Sequence, residues 1–133
     1  MARRHASDLG LGRTNEPGVL ILTSLASGAK HGYALTQDIE TFAGVKLGPG
    51  TLYGAITRLE ERGLIEPMEE RERRRPYQIT AAGRAALTAA VREMRHISDE
   101  GAERLGLIMH LGSAIAIVNI SATYASRTVR WSR

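Results

Sequence analysis

The chain has 133 residues, 43% of them hydrophobic, and a formal net charge of +4 at pH 7. That length fits one small domain with an appended helix, not two independent cores. There is no cysteine, which excludes disulfides, thiolate catalysis and zinc–thiolate sites together. Apart from Lys30 and Lys46 the formal cations are all arginine, whose planar fork suits phosphates and guanine edges, so a polyanionic partner is the first expectation. No apolar run follows Met1 to Ala6, so a secretory signal is not expected and a cytoplasmic protein is.

Residues 1–15 mix Arg, Gly, Ser and Asn without period and read as a flexible arm. Asn15 is a plausible cap ahead of Pro17, and Val19, Leu22, Leu25 and Ala26 then share a face, predicting a first helix over about 17–27. After a break at 27–30, Leu35, Ile39 and Phe42 predict a second helix over about 32–43, ended by Gly44. Val45 to Gly48 is a turn with room for a short strand. Pro49 sits where a missing N–H is harmless, with Gly48 or Thr51 as cap, and opens a third helix running to about Arg62. Leu52, Ile56 and Leu59 form its buried stripe, with Ala55 beside them, and Gly63 suits a left-handed stop.

Leu64 to Glu66 and Tyr77 to Thr80 read as two strands joined by the charged segment 69–76. Thr80 then caps a long fourth helix whose seam, Leu87, Val91 and Met94, suits a partner helix. The fold class expected is mainly α with a small β-hairpin wing, a winged helix-turn-helix plus a long C-terminal dimerisation helix. The domains follow: arm 1–15, winged helix 16–80, dimerisation helix 81–104, and an uncharged extension 105–133.

Thr51 and Tyr53 stand at the N-terminal end of the third helix, the end that enters the major groove in helix-turn-helix proteins. Gly48, Gly50 and Gly54 keep that end slim. Tyr53 has a competing reading as a core aromatic, and Thr51 as a cap. Arg58, on the exposed flank, reaches for DNA or pairs with Glu61. In the wing Arg73, Arg74 and Arg75 are set against Glu69, Glu70 and Glu72, so some are open to local neutralisation. Strand alternation predicts that not all three arginines face the same way, with one or two tracking the minor groove or its phosphates. Residues 44–80 are nearly neutral overall, so a DNA-facing patch has to come from arrangement. His5, His31, His96 and His110 are scattered without metal-site spacing, and no nucleophile, phosphate-loop or dinucleotide motif occurs. No enzyme activity, metal or cofactor is expected, and His31 is assigned to the turn before the second helix.

Four motifs in order, His31-Gly32-Tyr33-Ala34-Leu35, Pro49-Gly50-Thr51-Leu52-Tyr53, Leu59-Glu60 with Gly63-Leu64-Ile65, and Arg75-Pro76-Tyr77-Gln78-Ile79-Thr80-Ala81-Ala82-Gly83, resemble the PadR-type transcriptional regulators. The likeness covers about residues 17–95. It implies a homodimeric winged-helix regulator, usually a repressor, on a palindromic site in double-stranded DNA, paired through the C-terminal helix and often responsive to a small aromatic effector. By the same analogy Thr51 and Tyr53 read the groove, Arg74 and Arg75 hold the backbone, and Lys30 and Tyr33 lie near phosphates at the start of the second helix.

The tail departs from that pattern. From Leu105 to Ser126 there are 22 residues without a formal charge. That length could span a bilayer, but interspersed polar residues and the following Arg127, Arg130 and Arg133 argue against it, so a membrane partner is not expected. A protein-interaction or membrane-tethered winged-helix module is the rival reading.

Overall fold

The computed structural model describes residues 16–107. The N-terminal arm, the expected Asn15 cap, His5, His110 and nearly all of the extension lie outside them. In chain order come α1 (Pro17–Ala26), α2 (Gly32–Ala43), α3 (Pro49–Glu61), β1 (Ile65–Pro67), β2 (Tyr77–Ile79) and α4 (Ala81–Leu105). None of these helices is long and apolar enough to cross a membrane.

Pro17 occupies the first turn of α1, with Glu16 as its N-cap residue. The helix is buried more widely than its predicted face: Leu20 and Ile21 join Leu22 and Leu25 in the core, while Val19 and Ala26 are only part-buried. The reason is position, since α1 packs against α2, α3 and β2 and has little surface left for water. In α2, Leu35 and Ile39 are fully buried, but Phe42 in the last turn is 47% exposed, contrary to its place on the predicted stripe. Leu47 from the following turn is buried in the core, with Val45 packed beside it, and the turn contains no strand. Gly44 closes α2 in the left-handed conformation (φ 69°), which glycine adopts without a Cβ penalty.

Gly48, not the Thr51 side chain, stands at the N-cap of α3. The end of α3 is a Schellman motif: the Leu64 N–H donates to Leu59 O and the Gly63 N–H to Glu60 O, both at 2.9 Å, with Gly63 at φ 72°. Thr80 joins three elements. Its hydroxyl donates to Gly63 O at 2.7 Å and accepts from the Gly83 N–H at 3.0 Å, while its backbone N–H donates to Leu64 O at 3.1 Å. The end of α3, the start of β1 and the first turn of α4 are thereby fixed together.

The wing pairs β1 and β2 antiparallel, with Ile65 opposite Ile79 and Pro67 opposite Tyr77. Beyond the strands the ladder continues through the Met68 N–H to Pro76 O (2.8 Å) and reciprocal Arg71–Arg74 backbone bonds (2.8 Å each). The tip residues Glu72 and Arg73 have φ of 50° and 65°, the positive pair that marks a type I′ turn. A third strand-like segment was not foreseen. Lys30 N–H donates to Tyr77 O (3.1 Å) and Tyr77 N–H to Lys30 O (2.9 Å), on the side of β2 away from β1.

The chain divides into two compact units, one ending at Thr88 and one beginning at Ala89. The first holds the core, to which the opening turns of α4 contribute Gly83 and Leu87. The second contains the rest of α4, where Val91, Met94, Ile97 and Leu105 are exposed. That helix ends at Gly106 (φ 69°), whose N–H donates to Glu103 O.

Candidate nucleic-acid interface

His31 sets the geometry of the site. It is the N-cap residue of α2, where its Nδ1 accepts from the Ala34 N–H at 3.4 Å. Gly32 and Tyr33 follow as the first residues of the helix. Tyr33 is exposed and its hydroxyl accepts from Gln37 Nε2 at 2.9 Å, which steadies the ring on the outer face of α2. Tyr53, one turn into α3, is about half exposed and rests its hydroxyl edge against Gly32. It is therefore neither a core aromatic nor a freely rotating surface ring.

These residues and the wing enclose an open groove of about 390 Å³, lined by His31, Gly32, Tyr33, Tyr53, Arg73, Arg74, Arg75 and Tyr77. The expected alternation of the arginines fails here, because the left-handed Arg73 breaks the extended backbone and all three reach the same groove. Nor are Arg73, Arg74 and Arg75 bonded to carboxylates among the described residues; ion pairs such as Lys30–Asp38 (3.9 Å) and Arg104–Glu100 (3.4 Å) lie outside the wing. Three guanidinium groups and three phenols without a carboxylate make a wall suited to a phosphate backbone. Burial holds the Tyr77 hydroxyl above its ordinary value of 10, reinforced by Glu60 and Tyr53 and opposed by Arg75, so it stays a neutral donor near neutral pH.

Three of the sequence-predicted residues lie elsewhere. Thr51 is exposed on the first turn of α3 but outside the groove, and its side chain makes no hydrogen bond among the described residues. An added Cβ at Gly48 or Gly50 would meet nothing within 4 Å, so the approach to that turn is open. Arg58 is exposed in the last turn of α3 and folds back beside Gly54, without the alternative ion pair to Glu61. Lys30 is turned inward. Its side chain is 19% exposed, and Nζ donates to Ser24 O, to Ser27 Oγ (2.8 Å) and to Gly28 O (3.3 Å) beside Asp38. Asp38 also accepts from the hydroxyl of buried Ser24. An ammonium so committed braces α1 against α2 and has no donor left to offer a phosphate.

Sequence reasoning missed His31, Gly32 and Tyr77 as groove residues. The first two adjoin Tyr33, which was singled out. Tyr77 carried no local signal, because its place depends on pairing with Lys30, 47 positions earlier in the chain.

A sequence profile of the "Transcriptional regulator PadR-like family" matches residues 21–89. An "Uncharacterized 37.1 kDa protein in transposon TN4556" of Streptomyces fradiae is 46% identical over 86 residues; the match takes in 65% of this chain but only 25% of that protein, so this chain spans about a quarter of that relative's length. "Transcriptional regulator Rv3488" of Mycobacterium tuberculosis is 39% identical over 83 residues, covering 60% of this chain and 77% of the relative. Among solved structures, a PadR family transcription regulator from Clostridium difficile superposes with a TM-score of 0.61 at 25% identity, covering 71% of this chain and 99% of the other.

Proposed function

Because this chain belongs to the PadR-like transcriptional regulator family, we propose that it represses transcription by binding a palindromic promoter site as a homodimer. The observation that carries the reading is the groove between the start of α2, Tyr53 of α3 and the wing, where Arg73, Arg74 and Arg75 converge without a carboxylate. In this reading the wing arginines hold phosphates, Tyr33 flanks the same backbone, and Thr51 and Tyr53 approach base edges from the open N-terminal turn of α3. Arg58 reaches backbone from the other end of α3. Lys30 serves the fold. In the second unit, Val91 and Met94 keep coiled-coil spacing on α4, which Leu105 rejoins past Ser98 and Gly101, and these residues supply the seam for a second copy. A small aromatic effector that shifts the dimer between two arrangements would control release.

The test is fluorescence anisotropy of the purified protein on its own upstream DNA against a scrambled duplex at about 0.15 M salt, where much purely electrostatic binding is suppressed. A preference of about a thousandfold supports a sequence-specific regulator, and equal weak binding to both counts against it.

A further inference from the structure

His31 faces two donors with one lone pair. Its Nδ1 lies 3.4 Å from the Ala34 N–H, and its Nε2 lies 3.4 Å from Arg74 Nη1. A neutral imidazole accepts at one nitrogen and donates from the other, so the ring does not accept from both neighbours at once. The Ala34 N–H is an orphan donor of the first helical turn and is part-buried, whereas the Arg74 guanidinium is exposed and open to solvent. Leaving the former without an acceptor costs more than leaving the latter, which assigns the lone pair to Nδ1 and the proton to Nε2.

Nε2–H and the Arg74 guanidinium then confront each other as two donors, on a wall that also carries Arg73 and Arg75. Two converging donors, one of them charged, are satisfied together by a single anionic oxygen. We propose that His31 Nε2–H and Arg74 form a phosphate site that takes one phosphodiester of duplex DNA. The proposal rests on the groove being the DNA interface. It gives the histidine a role besides its cap: Arg74 supplies charge, and His31 supplies direction, fixing where along the wing the phosphate sits.

Imidazole nitrogen-15 spectra of the full chain report which ring nitrogen carries the proton. The expected result is an Nε2–H tautomer in the free protein, with a resonance that shifts when a mixed-sequence duplex is added and stays still in Arg74→Gln. An Nδ1–H tautomer would overturn the site, because Arg74 would then simply donate to the ring. Inorganic phosphate moving that resonance at lower concentration than the duplex does would overturn the assignment to a phosphodiester. His31→Asn keeps a good cap for α2 and is expected to leave thermal stability unchanged while weakening duplex binding about fivefold. In the double variant with Arg74→Gln the asparagine is expected to add little further loss, the non-additivity of a shared ligand. Duplex affinity of His31→Asn equal to the wild type would sink the phosphate site and leave the DNA-binding reading standing. A wild-type protein that binds no duplex would remove both.

Discussion

The hydroxyl end of Tyr53, on α3, fills the space that a side chain on Gly32, in the first turn of α2, would need. A Cβ added at Gly32 would collide with the Tyr53 hydroxyl and come within 3.0 Å of its Cζ. Tyr53 is thus oriented by the absence of an atom on the neighbouring helix.

Gly32→Ala is expected to lower affinity for the promoter duplex about tenfold, equivalent to about 1.4 kcal/mol. Stability should change little, because alanine regains up to about 1 kcal/mol of helix propensity against the displacement of an exposed ring. Anisotropy alongside thermal melts separates the two effects. Unchanged affinity would show that the orientation of Tyr53 is irrelevant to binding.

Gly83 and Gly101 make an opposed pair on α4. A Cβ on Gly83 would overlap the Leu64 carbonyl oxygen and approach Ile79 Cγ1 to 2.8 Å, whereas one on Gly101 meets nothing within 4 Å. Gly83→Ala should destabilise the chain by about 1–3 kcal/mol, since the overlapped oxygen belongs to backbone that Thr80 also holds. Gly101→Ala should stabilise its helix by about 0.5–1 kcal/mol. Urea denaturation measures both, and equal signs would contradict the packing described for Gly83.

Lys30 and the wing arginines should separate cleanly by readout. Lys30→Met removes three donors from the Ser24–Asp38 cluster and is expected to cost about 1–2 kcal/mol of stability with little change in the salt dependence of DNA binding. Replacing Arg74 and Arg75 with Gln should leave stability alone and reduce the slope of log K against log salt by about 1.8. A Lys30→Met variant that loses salt dependence as strongly as the double arginine variant would return Lys30 to the DNA contacts.

The wing tip carries two side chains at positive φ, Glu72 at 50° and Arg73 at 65°, where Asn-Gly is the favoured pair. Glu72→Asn with Arg73→Gly is expected to stabilise the hairpin by about 1–2 kcal/mol while weakening duplex binding through the lost guanidinium. Faster amide exchange at Met68 and Arg71 in the variant would mean that the turn is not the strained element.

On α4, a charge at Met94 should prevent a second copy from covering the apolar seam. Met94→Glu is expected to give a monomer by sedimentation at concentrations where the wild type is expected to pair, with a far larger loss of affinity for a two-half-site duplex than for a single half-site. An unaltered oligomeric state would place the pairing surface elsewhere.

The helices were legible because their signals are local. Pro17 and Pro49 mark starts, Gly44 and Gly63 mark stops, and Leu35, Ile39, Leu52, Ile56 and Leu59 keep helical spacing. Phe42 kept the same spacing and is exposed, since periodicity says which residues share a face but not how far along the helix a neighbour reaches. The candidate site was read through its side-chain chemistry, and Tyr33, Tyr53 and the three wing arginines do share a groove. What escaped was long-range. The Lys30–Tyr77 pairing has no sequence signal, and without it Lys30 looked like a free surface cation. The convergence of the arginines escaped for another reason, that alternation holds only while the backbone stays extended, and Arg73 does not.

The two backbone bonds between Lys30 and Tyr77 reach further than the sheet they extend. They clamp β2 from the side opposite β1, directly before His31 and the entry to α2. The base of the hairpin is therefore welded to the helical body, and the ladder carries that hold outward through the Met68–Pro76 and Arg71–Arg74 bonds. A wing mounted in this way behaves as a caliper jaw of fixed opening. The span between its arginines and Tyr53 is a built-in length, so under the proposed DNA-binding reading a duplex whose groove width departs from that length is expected to bind more weakly even where every base is correct.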